Sequence, residues 1–484
     1  MKKTFKIKYV YFTVLFIIIA IPSFSLAQEE KEAIKLEPIT VTAQGEREGV
    51  TITPQSTIIN VKEYKTPGAP QNIVDIIKDR AIIDFRGQSD LVPGYDQILM
   101  RGFDANRFVT AVDGLNIETS GGIGTTQVDY GTLPLGQIEC IEIVPGPHSA
   151  LYSGRSEGGV LNVKLKTPKS YVTLKPDFRV ATSYRSYNTQ NHSVNVDGGV
   201  ESVIYGLGFQ NYHTDGYLRH NETDINTFSG RLGCILPDDG YISLNVTYTD
   251  RDQERVAKND PSLPDYKSHY PHTLKAYQYE WADNTFDKRN CSYRLSYKQP
   301  TSIGNLTLGA YYNEENLDYS YYKDKAHKKH WTYDWDRDQW GGRIQDEIKF
   351  SDDHITTIGF ETTQIYDGPW KYSEAMHSPR RGRHKIKKAN SGYLQHKWKI
   401  IPRLTLNAGL RYENVNHWHN NWDSKKEKYK VKTIQKKYID KEYNQFAPKS
   451  FLTYELDDLS DVLRDTSLSL GVSKIWNASP FCLL

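Results

Sequence analysis

From residue 171 onward the chain repeats one pattern that leaves few folds open. Leu404, Leu406, Ala408, Leu410 and Tyr412 alternate with Thr405, Asn407, Gly409, Arg411 and Glu413. Ile242, Leu244, Val246 and Tyr248 share one side of residues 241–250; Leu306, Leu308, Ala310 and Tyr312, then Leu468, Leu470 and Val472, repeat the arrangement. Side chains on a β-strand point to opposite faces in turn, so an apolar face backed by a strongly polar one is a half-buried strand. A soluble sandwich gives the same alternation locally. The connections separate the two cases. Residues 171–484 hold about 13 such strands, and the joints between them alternate short and long, as transmembrane barrels require. Short joints lie at 237–240, 351–353 and 401–403, long ones at 251–289, 314–340, 368–390 and 414–444. If the first strand rises from the inner side of the membrane, every long joint falls outside and every short one inside.

Composition fits a barrel better than it first suggests. Only 38% of the 484 residues are hydrophobic and the mean hydropathy is −0.64, values ordinary for a soluble protein. Yet 34 Tyr, 9 Trp and 16 Phe are many aromatics for so polar a chain. A membrane β-barrel gives both at once, because only alternate residues face lipid and aromatic girdles sit at both interfaces. The formal charge of +2, which turns slightly negative without Lys2, Lys3, Lys6 and Lys8, offers no case for nucleic acid. Cys140, Cys234, Cys291 and Cys482 lie far apart without a C-x-x-C. They read as isolated small apolar residues, and no metal site or resident cofactor is assigned.

The four lysines within residues 1–8 precede an apolar run at 10–21, then Pro22 and Ser25-Leu26-Ala27. Small residues at the −3 and −1 positions mark a secretory signal peptide with cleavage expected before Gln28; the run is too short for a membrane anchor. Just behind it, Glu37-Pro38-Ile39-Thr40-Val41-Thr42-Ala43 is a β-prone, extended segment able to add a strand to a partner's sheet.

In residues 50–170 an amphipathic helix is expected within 69–80, where Ile73, Ile76 and Ile77 share a face. Short apolar runs at 97–100, 108–112, 138–144 and 160–165 alternate with turns such as Asp113-Gly114 and Gly121-Gly122-Ile123-Gly124. A small α/β domain follows. The run Met100-Arg101-Gly102-Phe103-Asp104-Ala105-Asn106-Arg107, leading to Asp113-Gly114, resembles the "IRGF-x-x-NR…DG" signature of TonB-dependent receptor plugs. Ile138-Glu139-Cys140-Ile141-Glu142-Ile143-Val144-Pro145-Gly146-Pro147, then Ser149-Ala150-Leu151-Tyr152 and Gly158-Gly159-Val160-Leu161-Asn162-Val163, resembles that family's "IERIEVVRGP-x-S-x-LYG…GGVIN".

The resemblance to TonB-dependent outer-membrane receptors, siderophore receptors among them, implies a division of the whole chain. Residues 1–27 are the signal peptide, 28–49 the TonB box and linker, 50–170 a small α/β plug and 171–484 an antiparallel transmembrane β-barrel. It makes Glu37, Pro38, Ile39, Thr40, Val41 and Thr42 the TonB-binding residues. Arg101, Gly102, Asp104, Arg107, Asp113, Gly114, Glu139, Glu142, Gly146, Pro147, Gly158 and Gly159 become the plug motif. Two departures stand out. Cys140 and Pro145 occupy positions where the family usually has arginine, and the glycine that follows "LY" is displaced to Gly154. Because those arginines contribute to plug–barrel ion pairs, a weaker latch is expected.

By the same resemblance the chain is exported to the outer membrane of a Gram-negative cell and imports a scarce small chelate. A ferric siderophore comes first, with haem or cobalamin behind. The implied partners are the TonB energy-transducing complex, outer-membrane lipid and lipopolysaccharide. An enzyme is not expected, since no nucleophile elbow, P-loop, HExxH or dinucleotide-binding turn occurs in the right context. A passive porin is disfavoured because a porin has neither plug nor energy box. The second reading is a surface binding or adhesion remnant that captures ligand without translocation.

The long joints hold aromatics, histidine and charge suited to a polar, partly aromatic ligand. Candidate ligand contacts are Tyr95, Glu118, Gln127, Tyr322, His330, Trp331 and Trp335. His327/His330 and His417/His419 fit metal or haem ligation but are read first as surface or interfacial histidines. Arg380-Arg381-Gly382-Arg383-His384-Lys385 fits lipopolysaccharide phosphates or a solvated loop. A plugged transporter has about 22 strands, of which about 13 are present here. Asn477-Ala478-Ser479-Pro480-Phe481 resembles a mid-barrel "A-P-x-F" segment, and the chain ends Cys482-Leu483-Leu484 without the family's terminal aromatic. The expectation is a C-terminally truncated product that does not transport alone, since open strand edges in lipid leave backbone groups unpaired.

Overall fold

The computed structural model describes residues 49–478 apart from 54, 64–71, 79, 81, 87–96, 106, 118, 121–125, 168–175, 217–220, 255–284, 323–329, 369–370, 375–376, 382–383, 428–429, 457–465 and 477. The signal peptide, the TonB box, Tyr95 and Glu118 lie outside these residues. By residue contacts the chain divides between Glu37 and Pro38, and all the described elements belong to the second unit, Pro38–Leu484.

Its first part holds β1 (Val50–Ile52), β2 (Thr57–Asn60), helix α1 (Ile73–Ile77), β3 (Ile83–Arg86), β4 (Gln97–Met100), β5 (Val109–Val112), β6 (Leu115–Asn116), β7 (Thr119–Ser120), β8 (Thr126–Gln127), β9 (Ile138–Pro145) and β10 (Gly159–Leu165). Six strands form one mixed sheet in the order β1-β2-β9-β10-β5-β6. Among the described strands only β10 and β5 pair in parallel, Val160 opposite Val109 through Val163 opposite Val112. Parallel strands are covered on both faces, which is why β5 reads as an unbroken buried run rather than an alternating one. Ile141, Ile143 and Leu161 are fully buried there with Ile59, Ile73, Ile76 and Ile77. The expected helix is real but short. Asn72 caps it by accepting from the Asp75 N–H at 3.2 Å, and Ile73, Val74, Ile76 and Ile77 all turn into the core.

The second part is a sheet of antiparallel strands: β11 (Asp177–Arg185), β12 (Thr189–Val200), β13 (Val203–Thr214), β14 (Thr223–Ile235), β15 (Tyr241–Gln253), β16 (Thr285–Pro300), β17 (Gly304–Tyr322), β18 (His330–Ser351), β19 (His354–Asp367), β20 (Lys371–Glu374), β21 (His377–Arg381), β22 (His384–Ile401), β23 (Leu404–Glu427), β24 (Lys430–Glu455) and β25 (Ser467–Ser473). Each pairs with the next, except that β19 pairs with β22 while the β20–β21 hairpin leans on β18. The path therefore has 13 strands, the number expected from the alternation, and among the described residues β11 and β25 are unpaired edges. No described helix is long and apolar enough to cross a membrane.

Burial is inverted relative to a soluble protein. Val180, Leu232, Leu295, Ile344, Phe360, Leu394 and Leu470 are exposed, while Arg231, Asn245, Arg294, Gln339, Glu361 and Glu413 are buried. An apolar outside and a polar inside is the signature of a barrel wall facing lipid. Phe360 lies mid-strand between Ile344 and Gly392 in register. Phe360→Arg is expected to cost about 2–4 kcal/mol, against about 0–1 for His354→Arg at the end of the same strand. His354 stacks on Trp398 there, with ring centroids 5.6 Å apart. Urea titration in lipid vesicles reads both, and equal costs would remove the lipid-facing assignment of Phe360.

Two expectations about the joints need correction. Residues 314–340 and 414–444 are mostly strand, since the ladder continues to Tyr322 opposite His330 and to Glu427 opposite Lys430. β24, at 26 residues, far exceeds the roughly 9–11 needed to span a bilayer. Above the lipid no face has to be apolar, so alternation fades while backbone pairing goes on. The short-inside, long-outside rule also fails at both ends of the sheet. The β11–β12 turn is tight, with Tyr187 and Asn188 at φ 61° and 52°, and residues 456–466 form a longer joint on the inner side.

Candidate functional site

The signature residues of the first domain converge on its own backbone. Asp113 and Gly114 both take positive φ, 50° and 75°, and turn β5 back into β6. The Asp113 carboxylate accepts from the Leu165 N–H at 3.0 Å, and Gly114 N–H donates to Asn162 Oδ1 at 2.9 Å. Asn162 Nδ2 donates in turn to Glu142 at 3.0 Å, while Glu139 accepts from the N–H and hydroxyl of Thr167. Burial pushes the Asp113 carboxyl up, partly offset by the Leu165 N–H, Arg294 and Arg343. Gly146, Gly158 and Gly159 form the other knot: Gly146 N–H donates to Gly158 O, and Gly158 N–H to Arg107 O. Arg101, Asp104 and Arg107 are exposed, and Arg107 reaches Glu157 only at 3.9 Å. Burial raises the Cys140 thiol to about 11, which suits an inert apolar residue.

This domain sits against the inner wall of the sheet through contacts that the sequence did not single out. Asp129 lies just before the 3₁₀ turn Tyr130–Thr132. It pairs with Arg251 at 3.1 Å and Lys288 at 2.9 Å, all three buried. Burial alone would raise its carboxyl, but Arg251, Lys288 and the Gly131 N–H together hold it below the ordinary value. The pair continues along the wall, Lys288 to Glu315 at 3.2 Å, Glu315 to Arg337 at 3.5 Å, Arg337 to Asp367 at 3.2 Å. One charged band thus links five consecutive wall strands to the domain they enclose.

On the far side, the loop after β9 docks on β22–β24. Gln395 accepts from Ser149 Oγ and the Ala150 N–H, Lys449 donates to Ser149 O at 2.7 Å, and Arg411 donates to Leu151 O at 3.1 Å. Gly154 N–H donates to Glu413 at 3.2 Å. Arg411 itself pairs with Glu361 at 2.9 Å and Glu413 at 2.8 Å. The wall carboxylates lack an arginine from the position of Cys140 or Pro145, but Arg411 of the wall supplies the cation and also grips the enclosed domain. At the base, Lys166 pairs with Asp197 at 2.8 Å, and Arg231 donates to Lys166 O at 3.0 Å.

Of the candidate ligand residues, Gln127 lies in β8 opposite Thr119. Tyr322 is opposite His330, Trp331 opposite Tyr321 and Trp335 opposite Leu317, so the wall candidates share the β17–β18 hairpin. His417 is not a surface histidine: it is buried and meets the Tyr443 ring edge-on at 5.8 Å. Asp129, Arg343, Arg411 and Lys449 were missed. Arg343 and Arg411 carried a signal as charged residues at inward positions of otherwise regular strands; Asp129, just before a 3₁₀ turn, and Lys449 carried none.

A polar-lined sheet of outward-apolar strands wrapped around a small mixed α/β domain defines a plugged membrane barrel. Two family descriptions match: TonB-dependent Receptor Plug Domain over residues 50–160, and TonB dependent receptor-like, beta-barrel, over 167–481. The chain belongs to the TonB-dependent receptor family. It is 28% identical over 128 residues to the vitamin B12 transporter BtuB of Vibrio vulnificus, 26% of this chain and 20% of that one. It is 21% identical over 373 residues to the iron-regulated outer membrane virulence protein of Vibrio cholerae, 69% of this chain and 56% of that one. Its fold is similar to the ferric yersiniabactin uptake receptor FyuA of Yersinia pestis, with TM-score 0.66, 14% identity, and coverage of 85% and 63%. It is similar also to the copper transporter OprC, with TM-score 0.68, 12% identity, and coverage of 87% and 64%. The chain spans 20% and 56% of the length of these two curated relatives.

Proposed function

We propose that this chain is an outer-membrane receptor for energy-coupled import of a small chelate, a ferric siderophore before haem or cobalamin. The observation that carries the reading is a plug sheet held in the barrel by buried polar contacts rather than by an apolar seal. Such contacts exchange for water at modest net cost, so the plug can be moved and reseated. The energy input enters through Glu37, Pro38, Ile39, Thr40, Val41 and Thr42, offered to TonB as an added strand. That segment leads into β1, the three-residue edge strand of the plug sheet. A pull therefore reaches the sheet at one of its two edge strands. Relatives named for vitamin B12, ferric yersiniabactin and copper support a chelate or metal cargo without choosing among them. The β17–β18 hairpin with Tyr322, His330, Trp331 and Trp335 forms the capture side, Tyr95, Glu118 and Gln127 the plug side, and the basic stretch 380–385 meets lipopolysaccharide phosphate. Residues 1–27 are removed on export, which mass spectrometry of the mature N-terminus checks.

Deleting residues 37–43 is expected to abolish uptake of a radiolabelled ferric chelate and leave surface binding unchanged, and dissipating the proton-motive force should do the same. Uptake that survives both treatments would sink the importer reading. The second reading is ligand capture without translocation. It is supported if the intact chain binds chelate but shows no energy-dependent uptake.

A further inference from the structure

The plug is held mainly by cations of the wall acting on acceptors of the plug. Arg231, Arg251, Lys288, Arg343, Arg411 and Lys449 all point inward and bond to it, four of them to main-chain carbonyl groups. Lys166 with Asp197 is the one described ion pair of opposite polarity across the contact. Two of the six, Arg343 and Lys449, have no carboxylate at ion-pair distance among the described residues. Arg343 donates to Asp113 O at 2.8 Å and Gly114 O at 3.1 Å. Lys449, 3% exposed, donates to Ser149 O and to Ser156 Oγ at 3.2 Å. Arg294, which is buried, is a third cation without such a partner among those residues, lying 5.1 Å over the Tyr311 ring and lining the crevice beside Asp129. A buried or half-buried cation that meets only neutral groups keeps most of its attraction for a full negative charge. When the plug shifts, these side chains lose the carbonyls and face the lumen.

We propose that this wall is a concealed anion-binding track, capped by the plug in the resting state, that takes carboxylate groups in place of the plug's carbonyls. The track rests on the importer reading for its purpose but not for its existence. The plug's carbonyls occupy the positions that ligand oxygens take during passage, so plug and anion compete for the same cations. Neutral chelates gain nothing from the exchange, and cationic ones are repelled.

Competition gives a test on the intact wild-type protein in detergent. Millimolar citrate, below the range where salting-out operates, is compared with chloride at matched ionic strength and with a neutral polyol. The readout is the rate of limited proteolysis within the plug. Citrate is expected to speed cleavage about fivefold or more, chloride and polyol to leave it unchanged. Lys449→Gln with Arg343→Gln should cleave faster at rest and lose most of the citrate response, while Lys449→Arg keeps it. Equal rates in citrate and chloride overturn the proposal, as does an undiminished citrate response in the double variant. Failure of uptake on deleting 37–43 concerns the importer reading alone and does not touch this result.

Discussion

Alanine at position 129 is expected to weaken plug seating by about 3–5 kcal/mol, the usual cost of leaving buried charge uncompensated. Arg251 and Lys288 converge on this one carboxylate, and both are almost wholly buried. Lys288 retains Glu315 at 3.2 Å. Urea titration of plug protease resistance measures the effect; equal midpoints for wild type and Asp129→Ala at pH 7 would show that the band along the wall does not hold the plug. The pH dependence has a definite sign. Because the cations hold the Asp129 carboxyl below its ordinary 3.8, its contribution is complete above that value and is lost only as pH falls through the lower folded value. Asp113 has the opposite sign, since burial raises its carboxyl and favours the protonated form. Comparison with Asp129→Asn cancels Asp113. The difference between wild type and Asp129→Asn should be constant around neutral pH and vanish in strong acid.

The strand count and plug identity were legible because each has a signal that survives in one dimension. Leu404, Leu406, Ala408 and Leu410 must all face lipid, so their spacing is fixed by the pleat. Gly114, Gly146 and Gly159 stand where φ is positive, so a motif containing them is a statement about backbone shape. The upper parts of β17, β18, β23 and β24 look like joints in sequence because they leave the lipid, and outside it nothing forces one face to be apolar. Asp129 and Lys449 were illegible for a different reason. Each is an ordinary charged residue in its own segment, and only the wrapping of the wall around the plug brings Asp129 to Lys288 across 159 residues and Lys449 to Ser149 across 300. The latch shows the same limit. Cys140 and Pro145 announce a missing cation, but where it has gone depends on which way Arg411 points.

Gly159→Ala is expected to dismantle the plug. Gly159 has φ +132°, and a Cβ there would run into Val144 O, with Met100 Sδ at 2.8 Å and the Gly146 nitrogen at 2.9 Å. Two costs combine: backbone strain of about 1–3 kcal/mol and crowding of about 1–3 kcal/mol in a packed site. The crowding is against main chain, so it cannot be relieved by turning a side chain. It falls on the rung where Gly159 opposes Pro145, at the end of the β9–β10 pair that forms the middle of the sheet. Gly102→Ala separates the two costs. Gly102 has φ +82°, but a Cβ added there meets nothing within 4 Å, so only strain remains. Its expected effect is about 1 kcal/mol, with the plug still folded and protease-resistant. In Gly159→Ala the plug should be cut at the rate of an unfolded chain, while the sheet of β11–β25 retains its strand circular dichroism. If the two variants lose equal stability, crowding at Gly159 contributes nothing and the glycine is there for its φ alone.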